Sequence, residues 1–461
     1  MTYVESVTIC DKFRANSPTI LLVINTHPLL ELLTFFREKC LSLSSERNYA
    51  QAIGRFCEWL SLREADFTEF PIHNELYTAF AHDLRFGLQD ETQRNTLKWN
   101  LASHLNMKRL MRALIEFSDW TEIKYGKTSI NPTVQNANFV QKVIFWRKWN
   151  HQKVGSFLAH IKSRHRASIS SANNSRQAAL PSWHNSHSLE TKAFPENKIN
   201  DLLWKGFINP GHADDHRVWI KYNIRDILIS MLCAYGGCRS SEPLHLWVDD
   251  VYLDPQSRDG ALVFIHHPQD GIAFYIDPVT GSKKKTHRAE FLRSFCKNQK
   301  PLTLETGRRH AGWKGCLLTN RERNAFQVIW IDKTAGKIFL YLWNLYLLHV
   351  RPVIKNTPWA FLTRDSQPLG VKAYADSFNA AVKRIGMRPT KWKGTSTHGL
   401  RHLYGQWLNE LEIDDKEGQV AMHHINPQSQ YIYRQMPISK VVSAINKFTN
   451  IQPPSSFFQH E

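Results

Sequence analysis

Thr397-His398-Gly399-Leu400-Arg401-His402 and, further on, Met422-His423-His424-Ile425-Asn426-Pro427-Gln428-Ser429-Gln430-Tyr431-Ile432-Tyr433-Arg434 are the segments on which the reading of this chain turns. They set His, Arg, His and Tyr at fixed intervals. His398 and Arg401 stand three apart, so on a helix they share a face. Far upstream, Gly236-Gly237-Cys238-Arg239-Ser240-Ser241-Glu242 adds a second arginine just after a helix-ending glycine pair. Guanidiniums grip phosphate oxygens in a bidentate way, imidazoles move protons, and a phenol can attack. The three segments are therefore expected to converge on one anionic centre.

The rest of the chain suits such a centre. Its 461 residues exceed one comfortable core, so two domains are expected, and 42% hydrophobic residues mark a globular protein. Lys and Arg outnumber Asp and Glu by 59 to 41, a formal charge of +18 that calls for a polyanion, nucleic acid before anionic membrane. No run of about 18 apolar residues predicts a membrane span. Met1 to Ala15 lacks a basic-then-apolar leader pattern. The expectation is a cytoplasmic protein, with no membrane partner. Seven scattered cysteines without a CxxC pair read as reduced thiols. The adjacent pairs His266-His267 and His423-His424 point apart on regular backbone, so no metal and no other cofactor is expected.

Outward from the closing segments, the order of elements predicts an α-helical N-terminal domain and a mainly α (α+β) C-terminal domain with a small antiparallel sheet. Residues 1–24 read as an arm or edge strand. Residues 25–162 read as a bundle of four or five helices, the fourth from about Leu101 to Tyr125 with Gly126 as its stop. That helix carries Lys108, Arg109 and Arg112, a solvated face or a face for DNA phosphates. Ser163 to Glu190, rich in Ser and Asn, reads as a linker. Residues 191–461 form the second domain and its tail. Helices are expected from Phe194 to Gly206, Tyr222 to Tyr235, Lys337 to Leu348 and Tyr374 to Ile385. Strand-like runs are Leu246–Leu253, Leu262–His266, Ile272–Ile276 and Phe326–Ile331. Gly281 to His310 is a basic insert, with nine Lys/Arg against two Glu.

Three boxes in this order resemble a known family. Arg239-Ser240-Ser241-Glu242-Pro243-Leu244 with Asp249-Asp250-Val251, then His398-Gly399-Leu400-Arg401-His402, then Met422-His423-His424 with Tyr433 nine residues later, look like the arginine, His-x-x-Arg and closing boxes of the tyrosine recombinases, or phage integrases. The long insert faintly suggests a mobile-element subgroup, the gamma-mobile-trio recombinases. The resemblance implies a tyrosine recombinase-like fold, a core-binding domain at residues 25–162, and a site-specific recombinase that acts on double-stranded DNA. It further implies a 3'-phosphotyrosyl intermediate, a homo-tetramer on two DNA sites and a prokaryotic, nucleoid-associated setting.

The chemistry of the residues agrees with it. Attack on a phosphodiester builds a second negative charge on the non-bridging oxygens, which Arg239 and Arg401 can clamp without metal or ATP. His398 can donate to the phosphate and accept the nucleophile's proton, and His424 adds a donor. Tyr433 is the expected nucleophile. Tyr431 lies about 200° from it around a helix, so only one of the two can face the site. Glu242 reads as an orienting partner of an arginine, and His402 as a core or supporting residue. The family also uses a lysine as general acid for the leaving 5'-oxygen. Lys314, in Gly312-Trp313-Lys314-Gly315, is preferred here to the run Lys283-Lys284-Lys285, which reads as a DNA-tracking patch. The chain departs from the family in placing His423 where a glycine commonly precedes the closing His, and in a Pro268–Gly312 stretch longer than the usual hairpin. A type IB topoisomerase-like nicking-resealing enzyme, a catalytically silent DNA-binding protein on the same fold and a metal-dependent nuclease are the competing readings.

Overall fold

A computed structural model describes residues 4–14, 17–62, 73–87, 100–135, 137–139, 141–143, 145–147, 173–180, 192–256, 259–277, 280–296, 299–354, 357–426 and 429. The chain divides into two compact units, Met1–Ser186 and His187–Glu461.

In the first unit, four helices follow the apolar spacing read from sequence: α1 (Leu30–Lys39), α2 (Leu43–Leu62), α3 (His73–Phe86) and α4 (His104–Tyr125). Ser103 opens α4 by accepting from the Asn106 N–H at 3.3 Å, and Gly126 at φ +69 closes it in the left-handed conformation. Phe35, Phe36, Trp59 and Phe80 fill the core between them. The N-terminal segment is a strand pair, β1 (Val4–Asp11) with β2 (Ser17–Ile24), antiparallel from Val4↔Ile24 to Asp11↔Ser17. Ile20 and Leu22 reach the core from β2, and buried Glu46 of α2 accepts from the Thr19 hydroxyl and the Ile20 N–H. A short β3 (His27–Pro28) extends this sheet. Of the arm and strand readings, the described residues of this segment take the strand.

Part of the expected linker is also built into this unit. β4 (Thr133–Val134) pairs with β5 (Ser175–Arg176), Asn131 bonds both backbone groups of Ala178, and Arg176 forms an ion pair with Asp119. The Ser- and Asn-rich composition reads as a linker, yet its Arg176 side chain and Ala178 backbone find specific partners here.

The second unit is assembled around α5 (Ile224–Ala234), of whose eleven residues all but Arg225 are buried. Asn223 caps it by accepting from Asp226 N–H. Before it, the path from Glu196 to Gly206 is helical, ending in a π-turn. Strands β6 (Val251–Leu253), β7 (Ala261–His266) and β10 (Ala325–Gln327) form a three-stranded antiparallel sheet with β7 in the middle. The strand expected over Leu246–Leu253 is shorter because two 3-10 turns, Pro243–His245 and Val248–Asp250, precede β6. The Asp250 carboxylate folds the second turn back by accepting from the Trp247 N–H at 2.7 Å.

Between β7 and β10 the chain makes one long excursion and returns beside its point of departure, with Ala325 opposite His266. The excursion holds an antiparallel ribbon, β8 (Ile272–Ile276) and β9 (Lys283–His287), followed by α6 (Arg288–Phe295). The sequence reading left α6 as part of a basic insert. Helices α7 (Lys333–Leu345), α8 (Val371–Arg384), α9 (Thr397–Glu410) and α10 (Asp415–Ala421) complete the unit.

Candidate phosphate-binding site

Arg401, on α9, is the hub of the cluster. Its side chain is fully buried, and its guanidinium donates to the carbonyls of Gly237 and Met422 and to His424 Nε2 at 2.8 Å. One side chain thus ties together the arginine, His-x-x-Arg and closing segments. Gly237 permits this. Its φ of +67 is left-handed, and a Cβ there would stand 2.7 Å from the Tyr404 ring, so the turn into Arg239 passes tightly over α9.

Arg239 leaves that turn with its side chain 15% exposed. Buried Glu242 orients it: one carboxylate oxygen accepts from Nη1 at 2.6 Å, the other from the Arg239 N–H at 2.6 Å. The second oxygen also lies 3.8 Å from Arg401 Nη1, so one carboxylate serves both guanidiniums. Glu242 sits at the head of the Pro243–His245 turn.

His424 is buried and accepts from Arg401, which fixes its neutral form. Burial, followed by the charges of Arg401 and Arg239, lowers its pKa to about 3. His398 is exposed at the first turn of α9, edge-on to buried His402 at 4.9 Å. Desolvation, then His402, Arg401, Lys314 and Arg239, lowers the His398 pKa to about 3. His402 is lowered to about 4, by burial first and then by Lys192 and Arg401.

Lys314 is exposed and close enough for its charge to bear on His398. Its loop is pinned on both sides. Trp313 meets His245 and His267 edge-on and stacks over Phe326, and the Leu317 N–H donates to the His423 carbonyl at 3.1 Å.

His423 holds φ +54, the conformation for which glycine is the ordinary choice. The imidazole is buried flat against Phe326 with ring centroids 3.9 Å apart. Nothing in the spacing of the residues announced that stack.

The run Lys283-Lys284-Lys285 lies on β9 of the ribbon, and Lys284 pairs with Asp277. Tyr431 and Tyr433 lie outside the described residues. Among the described residues, no group of three or more His, Cys, Asp or Glu is placed to hold a metal ion, and no helix is long and apolar enough to cross a membrane.

In the first unit, Lys108, Arg109 and Arg112 are exposed on α4. A polar cleft of about 600 Å³ beside Arg109 is lined also by Arg47, Gln51 and Arg55 of α2. Those three stand four residues apart, a helical stripe that the sequence reading passed over.

No family model matches the chain, and no curated protein matches it. Solved structures that it is similar to include the XerH site-specific recombinase bound to palindromic difH substrate in a post-cleavage complex (TM-score 0.48, 13% identity, 88% of this chain and 80% of that one). The Tn1549 transposon integrase with transposon right-end DNA gives a TM-score of 0.44 at 12% identity, over 91% of this chain and 98% of that one. The DNA-bound lambda integrase gives 0.39 at 12%, over 88% and 95%.

Proposed function

We propose that this chain is a site-specific DNA recombinase or integrase, a tyrosine recombinase that cuts and rejoins DNA through a 3'-phosphotyrosyl link at Tyr433. The observation that supports it best is the junction of Gly237, Arg401, Met422 and His424, which gathers three distant segments around a surplus of positive charge. Arg239, Arg401 and Lys314 stand there with the Glu242 carboxylate.

Arg239, half-open and held by Glu242, takes one non-bridging oxygen of the scissile phosphate. Arg401 takes the other by exchanging one of its internal partners for it. His398, neutral and exposed at the head of α9, accepts the phenol proton as Tyr433 attacks phosphorus. The bond from phosphorus to the 5'-oxygen breaks, and Lys314 protonates that oxygen. His424 carries a proton on Nδ1 when its Nε2 accepts from Arg401, so it is available as a further donor. The phosphodiester energy stays in the phosphotyrosyl bond, which a 5'-hydroxyl of a second strand reopens. Fixed cations meet the developing charge, so the step needs neither metal nor ATP. The stripe of Arg47, Arg55 and Arg109, with Lys108 and Arg112, holds the duplex by its phosphates, and four copies act on two sites.

A nicked suicide duplex tests this. The wild-type chain and Tyr431→Phe should become covalently attached to DNA, and Tyr433→Phe should not. Equal trapping by Tyr433→Phe overturns the assignment of the nucleophile, and strand cleavage without an adduct that is lost in EDTA favours a metal-dependent nuclease. Supercoil relaxation without strand exchange would give the same site to a type IB topoisomerase-like enzyme, and tight DNA binding without any adduct to a silent DNA-binding protein.

A further inference from the structure

The ribbon β8–β9 has two unlike faces. Directly opposed residues share a face, and the register pairs Phe274 with Lys285, Tyr275 with Lys284, and Ile276 with Lys283. On the inner face Tyr275 packs against Phe291 and Phe295 of α6, and Lys284 is ion-paired with Asp277. The outer face carries Phe274, 48% exposed, and Ile276, 71% exposed, flanked by exposed Lys283 and Lys285. Lys283 Nζ lies 5.1 Å from the Phe274 ring centroid. One strand therefore presents two large apolar side chains, and the other presents two cations alongside them.

This ribbon is firmly mounted. α6 begins at Arg288, which is buried, ion-paired with Asp250, placed over the Trp247 ring at 4.1 Å and bonded to the His245 carbonyl. Asp250 and His245 belong to the turns that follow Glu242. The ribbon is thus fixed to the segment that carries the arginine box.

We propose that the outer face of β8–β9 is a second DNA-contact surface, on which Lys283 and Lys285 take backbone phosphates while Phe274 and Ile276 press against sugars and base edges in a groove. The occupant follows from charge complementarity: the cations favour a polyanion, and apolar wedges flanked by lysines suit a duplex that can be locally unstacked. This rests on the recombinase reading for its choice of DNA, and its test is separable from that reading.

Full-length variants are titrated against a long duplex at several salt concentrations, with circular dichroism and sedimentation alongside. Lys283→Ala with Lys285→Ala should weaken binding and reduce the salt slope by about 1 for each lysine. Phe274→Ala with Ile276→Ala should weaken binding about tenfold at an unchanged slope. Lys337→Ala, which removes an exposed cation of α7 paired with Asp259, should change neither. If both double variants fold and bind as wild type, the proposal is overturned, whether or not Tyr433 forms an adduct. It is equally overturned if they lose self-association in place of DNA affinity, or if Lys337→Ala weakens binding as much as the loss of one ribbon lysine does. If no adduct ever forms but the expected pattern holds, the ribbon stands and the catalytic reading falls.

Discussion

Glu242 decides how the two arginines stand. It is buried between them, so Glu242→Ala leaves two guanidiniums without their shared counter-charge. A loss of about 3 kcal/mol is expected, read as a lower urea midpoint. Arg239→Lys should keep the charge and lose the planar fork, lowering cleavage about 100-fold with little change in the urea midpoint. His423 presents an unusual balance. Its left-handed φ costs about 1 kcal/mol for a side chain with a Cβ, and its stack on Phe326 returns about the same. His423→Gly should therefore leave Tm nearly unchanged, whereas His423→Ala keeps the strained backbone without the stack and should cost about 1 kcal/mol. A measured fall for His423→Gly well beyond that of His423→Ala would show that the backbone conformation is not what the position demands.

At the scale of elements, helices were readable and the excursion was not. The 3.6-residue spacing of apolar side chains places α4, α5, α7 and α8 within a few residues, and Gly126 marks its helix end. α6 escaped because Arg288, Glu290 and Arg293 look like a solvated charge run. Arg288 is in fact buried against Asp250, 38 residues earlier, a pairing that local pattern does not carry. The box spacing identified Arg239, His398, Arg401 and His424 as candidates for one site, and the fold brings Arg239, Arg401 and His424 into a single junction with Glu242. What the spacing did not give was the burial of Arg401 or the use of Glu242 by both arginines, since both depend on contacts between distant segments. Arg288→Ala should strand the Asp250 carboxylate and cost about 3 kcal/mol, measured by denaturant unfolding. Reduced binding through the ribbon should accompany it.

Across the whole molecule, protonation opposes the fold. Burial holds the pKa of His402 at about 4 and that of His424 at about 3, and pushes His423 well down. The unfolded chain titrates these groups near 6.5, so below that pH it takes up protons that the folded chain refuses. Stability should be level above pH 7 and decline as pH falls from about 6.5 toward 4. His424→Asn should remove up to about 1.4 kcal/mol per pH unit from that slope. Thermal melts across this range check it. The hub at Arg401 also has a consequence for synthesis. Its partners Gly237 and Met422 lie 164 residues before it and 21 after it. A nascent chain emerges from the ribosome in that order, so the arginine box exists for much of translation without the groups that complete it. Met422 and His424 emerge only after Arg401 itself. A chain interrupted between Arg401 and Met422 has the buried guanidinium but neither the Met422 carbonyl nor the His424 ring that it donates to.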